Sequence, residues 1–366
     1  MERNIYITTN LACNLNCIYC YEHEKGKTSF DVEQAKQTLQ DALSVITEKG
    51  TVINLHGGEP FISFIKIKEL CEWAWGQNFP ESFKFFATSN GTLIHGPIQE
   101  WLYENRKRFV VGLSLDGTSE MHNTNRSGSF DLIDLDFFIK TWPNQNVKMT
   151  ISPKSIHSLA DGIIFIHEKG FKKISANLAE MIDWTEPSLL NVYKRELRKL
   201  ANYYLEHPDI ERCSIFNVYF AALLNKEIKK WCGVGTEMEA IDVDGRKYPC
   251  HLFFEAVCGK EQSEQSHTID FSDPLVYTSE HCRACTMLPI CPTCYGSNFI
   301  ERGNVGERDL TLCEFQKIRF AEVARFEYNR IVNDPADVNS LSDKEKFERM
   351  RTLEGIEVLS SCLTID

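Results

Sequence analysis

Nothing in the sequence resembles a membrane anchor or an export signal. No stretch approaches the roughly eighteen consecutive apolar residues of a transmembrane helix. The first residues also lack the basic, apolar and small-residue pattern of a signal peptide. Positive charge is scarce, because 40 Lys and Arg residues face 52 Asp and Glu, which gives a net charge of −12. We therefore expect a cytoplasmic protein with neither nucleic acid nor a membrane as a partner.

Cysteine, in contrast, is abundant, with 14 in 366 residues. In a cytoplasmic chain this indicates metal or redox chemistry rather than disulfides. Three cysteines follow a C-x3-C-x2-C pattern at Cys13, Cys17 and Cys20, and Tyr19 precedes the last. A [4Fe–4S] cluster takes four ligands, usually thiolates, so this loop would leave one iron open to a small molecule. A zinc knuckle on Cys17 and Cys20 is the alternative, but zinc needs a fourth ligand.

A glycine turn, Gly57-Gly58-Glu59-Pro60, follows the cysteine loop along the chain. Together the two motifs resemble the radical S-adenosylmethionine (radical SAM) superfamily. In that family the open iron is chelated by the amino and carboxylate groups of SAM, and one-electron reduction splits SAM into methionine and a 5′-deoxyadenosyl radical. The resemblance implies that Glu59 binds the SAM amine. We expect the two glycines to let the backbone approach a ligand closely.

The first half of the chain alternates short apolar segments with amphipathic ones, which predicts a parallel sheet with right-handed crossovers. Six such units are too few to close an eight-unit barrel, so we expect a partial (β/α)6 TIM-like barrel. The amphipathic segments lie near residues 31–49, 62–76, 97–107, 130–141 and 156–169. The predicted strands are Asn4–Thr9, Thr51–His56, Phe83–Thr88, Phe109–Leu115, Val147–Ile151 and Lys173–Leu178.

The sequence motifs follow the first four predicted strands and should therefore meet on one rim of the barrel. The third strand ends at Asn90, and the fourth ends in Ser114-Leu115-Asp116-Gly117, with His122 and Arg126 beyond. This last stretch resembles the strand-four signature of peptide-modifying radical SAM enzymes. The resemblance implies cofactor-binding roles for these residues, with Ser114 at the SAM carboxylate or ribose. A structural network around the loop is an equal alternative for Asp116, His122 and Arg126.

A second field of cysteines occupies the chain from Cys232 to Cys313. It contains two C-x2-C units separated by only five residues, whereas zinc ribbons usually separate their knuckles by roughly 12–20. The pattern resembles the SPASM domain, which holds two auxiliary [4Fe–4S] clusters, so that three clusters are expected in all. One departure is the last pair, which is C-x2-C here and C-x3-C in the family.

The resemblance also assigns the auxiliary ligands. One cluster would be held by Cys282, Cys285, Cys291 and Cys313, and the other by Cys232, Cys250 and Cys294. A fourth ligand for the second set is missing. Cys258 is the nearest unassigned thiol, and an iron left open for a substrate atom is the alternative. The remaining cysteines are interpreted as ordinary thiols: Cys71, Cys213 and Cys362.

His251 directly follows Cys250, where sulfatase-maturing members of the family carry an acid. An imidazole there could accept a proton near neutral pH, and His251 is therefore a candidate catalytic residue. It could also hydrogen-bond a backbone carbonyl. The missing acid argues against sulfatase maturation.

The predicted domains are a barrel over residues 1–185, a helical linker over 186–231, the SPASM domain with a C-terminal helix over 232–333, and a charged tail over 334–366. The linker should contain a long helix from Pro187 and a second helix around Phe216–Lys230. Asp334-Pro335 should end the last helix of the SPASM domain, and the tail is expected to be only partly ordered.

SPASM-type members mostly modify ribosomally made peptides. The resemblance therefore implies a maturase that forms a carbon–carbon (cyclophane-type) or thioether crosslink in a precursor peptide, with flavodoxin or ferredoxin as electron donor. Because the sequence begins directly on the first strand, leader recognition is expected from a separate protein, the tail or the barrel. The alternatives are a sulfatase-maturase-like enzyme, a small-molecule radical SAM dehydrogenase and a non-catalytic iron–sulfur carrier. A carrier would have no use for the open iron.

Overall fold

A computed structural model describes residues 2–22, 25–333 and 340–363. Its strands are β1 Arg3–Thr8, β2 Thr51–His56, β3 Phe83–Ser89, β4 Phe109–Leu113, β5 Asn146–Ile151, β6 Lys173–Leu178, β7 Met238–Ile241 and β8 Lys247–Tyr248. Its α-helices are α1 Val32–Leu43, α2 Phe64–Trp75, α3 Pro97–Asn105, α4 Ser119–Asn125, α5 Leu135–Thr141, α6 Leu159–Glu168, α7 Ser188–Glu206, α8 Glu255–Cys258, α9 Lys260–Ser266, α10 Glu280–Arg283, α11 Tyr295–Arg302, α12 Leu310–Val332 and α13 Asp343–Ser360. None of these helices is both long and apolar enough to cross a lipid bilayer.

The first six strands form the predicted partial barrel. Strands β1 to β4 pair in parallel in chain order, and β5 pairs in parallel with β6. A parallel bridge between Ser114 and Lys148 joins the two groups. The (β/α)6 architecture expected from the sequence is thus confirmed, and each predicted strand lies within two residues of its observed bounds.

Alternating burial along the strands separates the helix layer from the barrel interior. In β5, Val147, Met149 and Ile151 are buried, whereas Lys148 and Thr150 between them point the other way, into the barrel. In α1, Ala35, Leu39 and Leu43 form the buried stripe that covers the sheet. Burying one such leucine contributes about 1.5–3 kcal/mol. The side chains that point into the barrel are not part of this core and can therefore be polar.

The cysteine-rich half of the chain is attached directly to the barrel sheet. Strand β7 pairs in parallel with β1, from Asn4 opposite Met238 to Ile7 opposite Ile241, and β8 returns antiparallel to β7. This extension brings the segment after β8, with Cys250 and His251, to the barrel. The domain boundaries given above stay a prediction.

The predicted helix around Phe216–Lys230 is wrong. The segment forms two short 3₁₀ turns, Ser214–Phe216 and Phe220–Leu224, and Lys226 adopts a left-handed φ of 52°. Its apolar residues, which imitate helical spacing, instead fill the core: Ile215, Phe216, Phe220, Ala221 and Leu223.

The charged tail contains a regular helix. Helix α13 begins with a capping box between Ser342 and Glu345 and packs on the turn Phe220–Leu224. Gly355 allows the close approach, because a Cβ there would lie 2.2 Å from the carbonyl oxygen of Phe220. The predicted break at Asp334-Pro335 lies outside the described residues.

Candidate functional site

Hydrogen bonds join the cysteine loop to the glycine turn. The amide of Glu59 donates to Ala12 O at 2.8 Å, and Asn10 Nδ2 donates to Glu59 O at 3.0 Å. A Cβ on Gly57, whose φ is +152°, would lie 2.5 Å from Asn10 O, and one on Gly58 would lie 2.3 Å from Ala12 O. The two glycines therefore make room for the cysteine loop. Both also line the cavity described next, and their close approach to a ligand stays a prediction.

Cys13, Cys17 and Cys20 line one cavity of about 450 Å³ inside the barrel. Burial raises the pKa of all three thiols, Cys17 adds to the rise at the other two, and Lys25 opposes it. In the described part of the chain, no three or more His, Cys, Asp and Glu side chains are arranged to hold a single metal ion. Three thiols in the wall of one cavity could each bind a different iron of a cluster.

Glu59 is a buried carboxylate held in one orientation in the wall of this cavity. It accepts hydrogen bonds from Ser89 Oγ at 2.8 Å, from the amide of Asn90 at 2.8 Å and from the amide of Phe61 at 3.2 Å. Burial outweighs these bonds and raises the pKa of Glu59 to about 7. A cationic amine entering the cavity would favour the ionised carboxylate.

Asp116 holds the cysteine loop in place through hydrogen bonds and does not line the cavity. Its Oδ2 accepts the Tyr19 hydroxyl, lies 3.0 Å from Arg126 Nε and accepts Asn125 Nδ2 at 3.1 Å. Its Oδ1 accepts the amide of Thr150 at 2.9 Å. The fully buried carboxylate therefore ties the cysteine loop, through Tyr19, to α4 and β5.

The other predicted rim residues divide between the cavity and its support. Ser114, Asn90, Arg126 and Tyr19 all line the cavity, and Asn90 Nδ2 also donates to Asn14 Oδ1 in the cysteine loop at 2.9 Å. His122 is fully buried: its Nδ1 accepts the amide of Asp116 at 3.3 Å, and its Nε2 lies 3.0 Å from Ser129 Oγ. Pro60, also buried, begins the 3₁₀ turn after Glu59.

His251 enters the same cavity from the cysteine-rich half, in a cluster of rings. Its ring centroid lies 4.5 Å from that of His56 and 5.6 Å from those of Tyr6 and Tyr21, and its Nδ1 lies 3.9 Å from Cys250 Sγ. Burial, then His56 and Lys148, hold its pKa well below the ordinary value, so the ring is neutral. The alternative bond to a backbone carbonyl is absent from the hydrogen bonds of the described residues.

Lys148 and Glu180 were missed by the sequence analysis. Lys148 lies in the cavity wall, where burial lowers its pKa, and no carboxylate of the described residues forms an ion pair with it. Glu180 accepts Ser297 Oγ at 2.8 Å, and burial raises its pKa. A charged residue between buried Val147 and Met149 is a signal that could have identified Lys148 as an interior group.

A second cavity, of about 430 Å³, lies in the cysteine-rich half. All four cysteines predicted for one auxiliary cluster line it, and Cys294 and Glu180 contribute to the walls of both cavities. The four are Cys282, Cys285, Cys291 and Cys313.

The other predicted set is brought together only in part. Burial raises the pKa of Cys250, with Cys294 and Cys232 adding to the rise, and Cys232 likewise adds to the rise of Cys294 to about 12. Burial and Glu255 raise the pKa of Cys258 to about 11, but no other cysteine contributes. Cys258 Sγ lies 3.4 Å from Phe254 O. Its role as the fourth ligand stays a prediction.

Comparisons with known proteins agree with this arrangement. Residues 6–129 match a family described as a 4Fe-4S single cluster domain. The chain is 24% identical over 318 residues to a cysteine-type anaerobic sulfatase-maturating enzyme of Clostridium perfringens, covering 76% of this chain and 84% of the relative. It is 25% identical over 325 residues to the antilisterial bacteriocin subtilosin biosynthesis protein AlbA of Bacillus subtilis, covering 80% of this chain and 68% of AlbA.

Solved structures have the same fold. The structure of anSMEcpe with bound AdoMet gives a TM-score of 0.70 at 19% identity, over 96% of this chain and 99% of that chain. Streptococcus suis SuiB bound to its precursor peptide SuiA gives 0.54 at 17% identity, over 85% and 76%. These similarities agree with the resemblance of the sequence to the radical SAM superfamily. The assignment of the second cysteine field to a SPASM domain stays a prediction.

The donor atoms of this protein fit iron–sulfur clusters. The loop with Cys13, Cys17 and Cys20 lies inside the matched 4Fe-4S domain, and its three thiols leave one of four ligand positions to another molecule. Glu59 lies in the same cavity and would receive the amine of SAM. Besides Cys294, the second cavity offers the four thiols predicted for one auxiliary cluster, which is a complete ligand set.

Proposed function

We propose that this chain is a radical SAM enzyme that oxidatively modifies a ribosomally synthesised precursor peptide and forms an intramolecular carbon–carbon or thioether crosslink. Bound to the open iron and reduced by one electron, SAM would supply a 5′-deoxyadenosyl radical that removes a hydrogen atom from the substrate. A flavodoxin or ferredoxin is the proposed electron donor. Three [4Fe–4S] clusters are proposed, on Cys13, Cys17 and Cys20, on Cys232, Cys250 and Cys294, and on Cys282, Cys285, Cys291 and Cys313.

The composition of the barrel cavity is the observation that carries this proposal. Cys13, Cys17, Cys20 and Glu59 form one side of it, whereas His251 and Cys294 reach it from the cysteine-rich half. A substrate in this cavity would touch both halves of the chain. This arrangement suits an oxidation in which the barrel starts the reaction and the cysteine-rich half receives the electron that the substrate loses.

The residues of the cavity can then be given separate tasks. Glu59 accepts hydrogen bonds from the SAM amine, and Ser114 with Lys148 faces its carboxylate. The rings of His251, His56 and Tyr6 offer an apolar and aromatic wall for substrate side chains.

Each crosslink removes two hydrogens from the peptide. One leaves as an atom to the 5′-deoxyadenosyl radical, which becomes 5′-deoxyadenosine. The other leaves as a proton and as an electron that an auxiliary cluster would accept. Glu180, a half-buried carboxylate of raised pKa in the cavity wall, is our candidate for the proton acceptor.

Sulfatase maturation is the second candidate function. It is supported by the similarity to the sulfatase-maturating enzyme of Clostridium perfringens and by the fold of anSMEcpe. His251 stands against it, because the sulfatase-maturing members carry an acid at this position. The similarity to AlbA and the structure of SuiB with its precursor peptide support the peptide-crosslinking alternative.

The test is mass spectrometry of candidate substrates after anaerobic co-expression with this chain. The peptide encoded beside the gene is expected to lose two hydrogens per modification, with fragmentation blocked across a short segment. A cysteine-containing sulfatase peptide is assayed in parallel and is expected to stay unmodified. Modification of the sulfatase peptide alone would reverse the order of the two candidates.

Two variants control this experiment. Cys17→Ala should leave every peptide unmodified, because the first cluster loses a ligand. Cys71→Ala replaces a fully buried thiol on α2, outside both cavities, and should retain the modification. Equal loss of activity in both variants would point to misfolding rather than to cluster chemistry.

A further inference from the structure

The wall of the second cavity carries charges of both signs. Glu180, Asp309, Arg308 and Lys317 all line it, and Glu180 also lines the barrel cavity. The contacts of each charged side chain therefore decide how it acts on the thiols.

Arg308 contacts one of the predicted cluster ligands, Cys291. Its Nη1 lies 2.8 Å from Cys291 Sγ and 2.8 Å from Cys291 O, and it reaches Pro292 O at 3.5 Å. The side chain lines the second cavity from the loop before α12. Among the described residues, the hydrogen-bond partners of Arg308 are these atoms of Cys291 and Pro292, and no carboxylate oxygen lies within ion-pair distance of it.

Lys317 provides an internal contrast in the same cavity. Its Nζ lies 2.6 Å from Glu314 Oε1, and this bond is the main reason that its pKa is raised. Cys313 and Cys285 add smaller effects. The charge of Lys317 is therefore largely compensated by a neighbour on the same helix, whereas that of Arg308 is not.

We propose that Arg308 raises the reduction potential of the [4Fe–4S] cluster on Cys282, Cys285, Cys291 and Cys313. This inference rests on the cluster assignment of the proposed function. Reduction adds one electron and no atom, so the cluster gains one negative charge that spreads onto its sulfur ligands. A guanidinium that donates N–H to a ligand sulfur stabilises that charge. Cluster potentials are set by net charge, hydrogen bonds to sulfur and exposure, and Arg308 supplies the first two.

The experiment is a potentiometric titration with dithionite, followed by electron paramagnetic resonance, on the full chain. Cys13, Cys17 and Cys20 are replaced by Ala throughout, which removes the first cluster from the spectrum. In Arg308→Gln the midpoint potential of the cluster in the second cavity should fall by about 59 mV or more, a tenfold change in the one-electron equilibrium. An unchanged potential at full iron content would overturn the proposal.

Matched variants separate charge from structure. Lys317→Gln should shift the potential less than Arg308→Gln, because Glu314 already compensates Lys317. Arg308→Lys keeps the charge but loses the planar fork, and a smaller fall is expected. If Arg308→Gln does not assemble the cluster, Arg308→Lys provides the test. A midpoint potential in Arg308→Lys equal to that of the starting protein would contradict the role of Arg308.

The cluster assignment is checked separately with Cys313→Ala. Loss of one cluster's iron in this variant supports the assignment. Full iron content in Cys313→Ala would overturn the assignment together with the role of Arg308. An unchanged potential in Arg308→Gln, with the assignment intact, would overturn only the role of Arg308.

Discussion

The barrel cavity and the second cavity are of similar volume but offer different ligands. Glu59, Ser114 and Lys148 share the first with Cys13, Cys17 and Cys20, Arg308 shares the second with Cys282, Cys285, Cys291 and Cys313, and Cys294 lines both. A [4Fe–4S] cluster with three thiolates has an iron free for another molecule, whereas one with four is closed. Under the proposed cluster assignment, the first cavity is therefore suited to binding a ligand at iron and the second to electron transfer alone.

The two cavities are also supported differently. The cysteine loop of the barrel is fastened by buried polar groups, including Asn10, Asp116 and His122. The second cavity is framed by short elements: α10, a 3₁₀ turn at Leu288–Ile290 and the start of α12. A rigid polar frame keeps donor groups fixed where a ligand must be oriented.

The largest expected effect comes from breaking the three-ligand set. Cys17→Ala should abolish SAM cleavage and remove the iron of one cluster, while the remaining iron stays bound. Cleavage is measured as 5′-deoxyadenosine after anaerobic reduction, and iron per chain is measured colorimetrically. SAM cleavage that survives in Cys17→Ala would show that the radical cluster is assigned to the wrong cysteines.

The second effect tests the set of Cys232, Cys250 and Cys294, of which Cys294 lines both cavities. Cys294→Ala should lose iron, because this thiol lies near Cys232 and Cys250. Cys258→Ala should also lose iron, because Cys258 is the fourth ligand predicted for this set. Full iron content in Cys258→Ala would instead mean that one iron of this cluster is open. Iron and sulfide per chain are the measurements. Equal loss in both variants would establish Cys258 as the fourth ligand.

A smaller effect is expected at the ligand side of the barrel cavity. Glu59→Gln should weaken SAM binding by about tenfold to a hundredfold, since a hydrogen bond to a charged group contributes about 1.5–3 kcal/mol. Equilibrium dialysis under anaerobic conditions measures this affinity. Glu33→Gln, on the exposed face of α1, is the matched control and should bind like the starting protein. Unaltered affinity in Glu59→Gln would exclude the amine contact.

The smallest effect concerns pH and the support of the barrel loop. Burial lowers the pKa of His122 to about 4, whereas an unfolded histidine has a pKa of about 6.5. The unfolded chain therefore binds a proton first, and stability is lost as pH falls from 6.5 through 4. At pH 5 the loss attributable to His122 is about 2 kcal/mol.

The measurement is an anaerobic urea titration of the starting protein and His122→Asn at pH 7 and pH 5. Glu59, with its raised pKa, works in the opposite direction, so only the difference between the two proteins isolates His122. The variant should lose less stability on acidification. Identical pH dependence in both proteins would mean that His122 binds a proton as readily in the folded protein as in the unfolded chain.

The sequence predicted the barrel well because local periodicity and motif order determine it. The six apolar segments correctly predicted the positions of β1 to β6. Because the motifs follow the strands, they were expected at one rim, and Cys13, Glu59, Asn90 and Ser114 do line one cavity. The segment Phe216–Lys230 was misjudged because apolar residues at helical spacing fill a core equally well from short turns.

The unpredicted parts of the site depend on contacts between distant segments. The wall formed by His56, Tyr6 and His251 exists only because β7 pairs with β1. The bond from Arg308 to Cys291 likewise joins residues 17 positions apart with no motif between them. Such pairs follow from tertiary packing, which no local pattern in one sequence specifies.

One measurement tests the difference between the two cavities most directly. Electron paramagnetic resonance spectra of the reduced protein are recorded with and without SAM, in the starting chain and in the variant with Cys13, Cys17 and Cys20 replaced by Ala. SAM should alter the spectrum of the starting chain and leave that of the variant unchanged. A SAM-dependent change in the variant, or none in the starting chain, would contradict a SAM-binding iron confined to the barrel cavity.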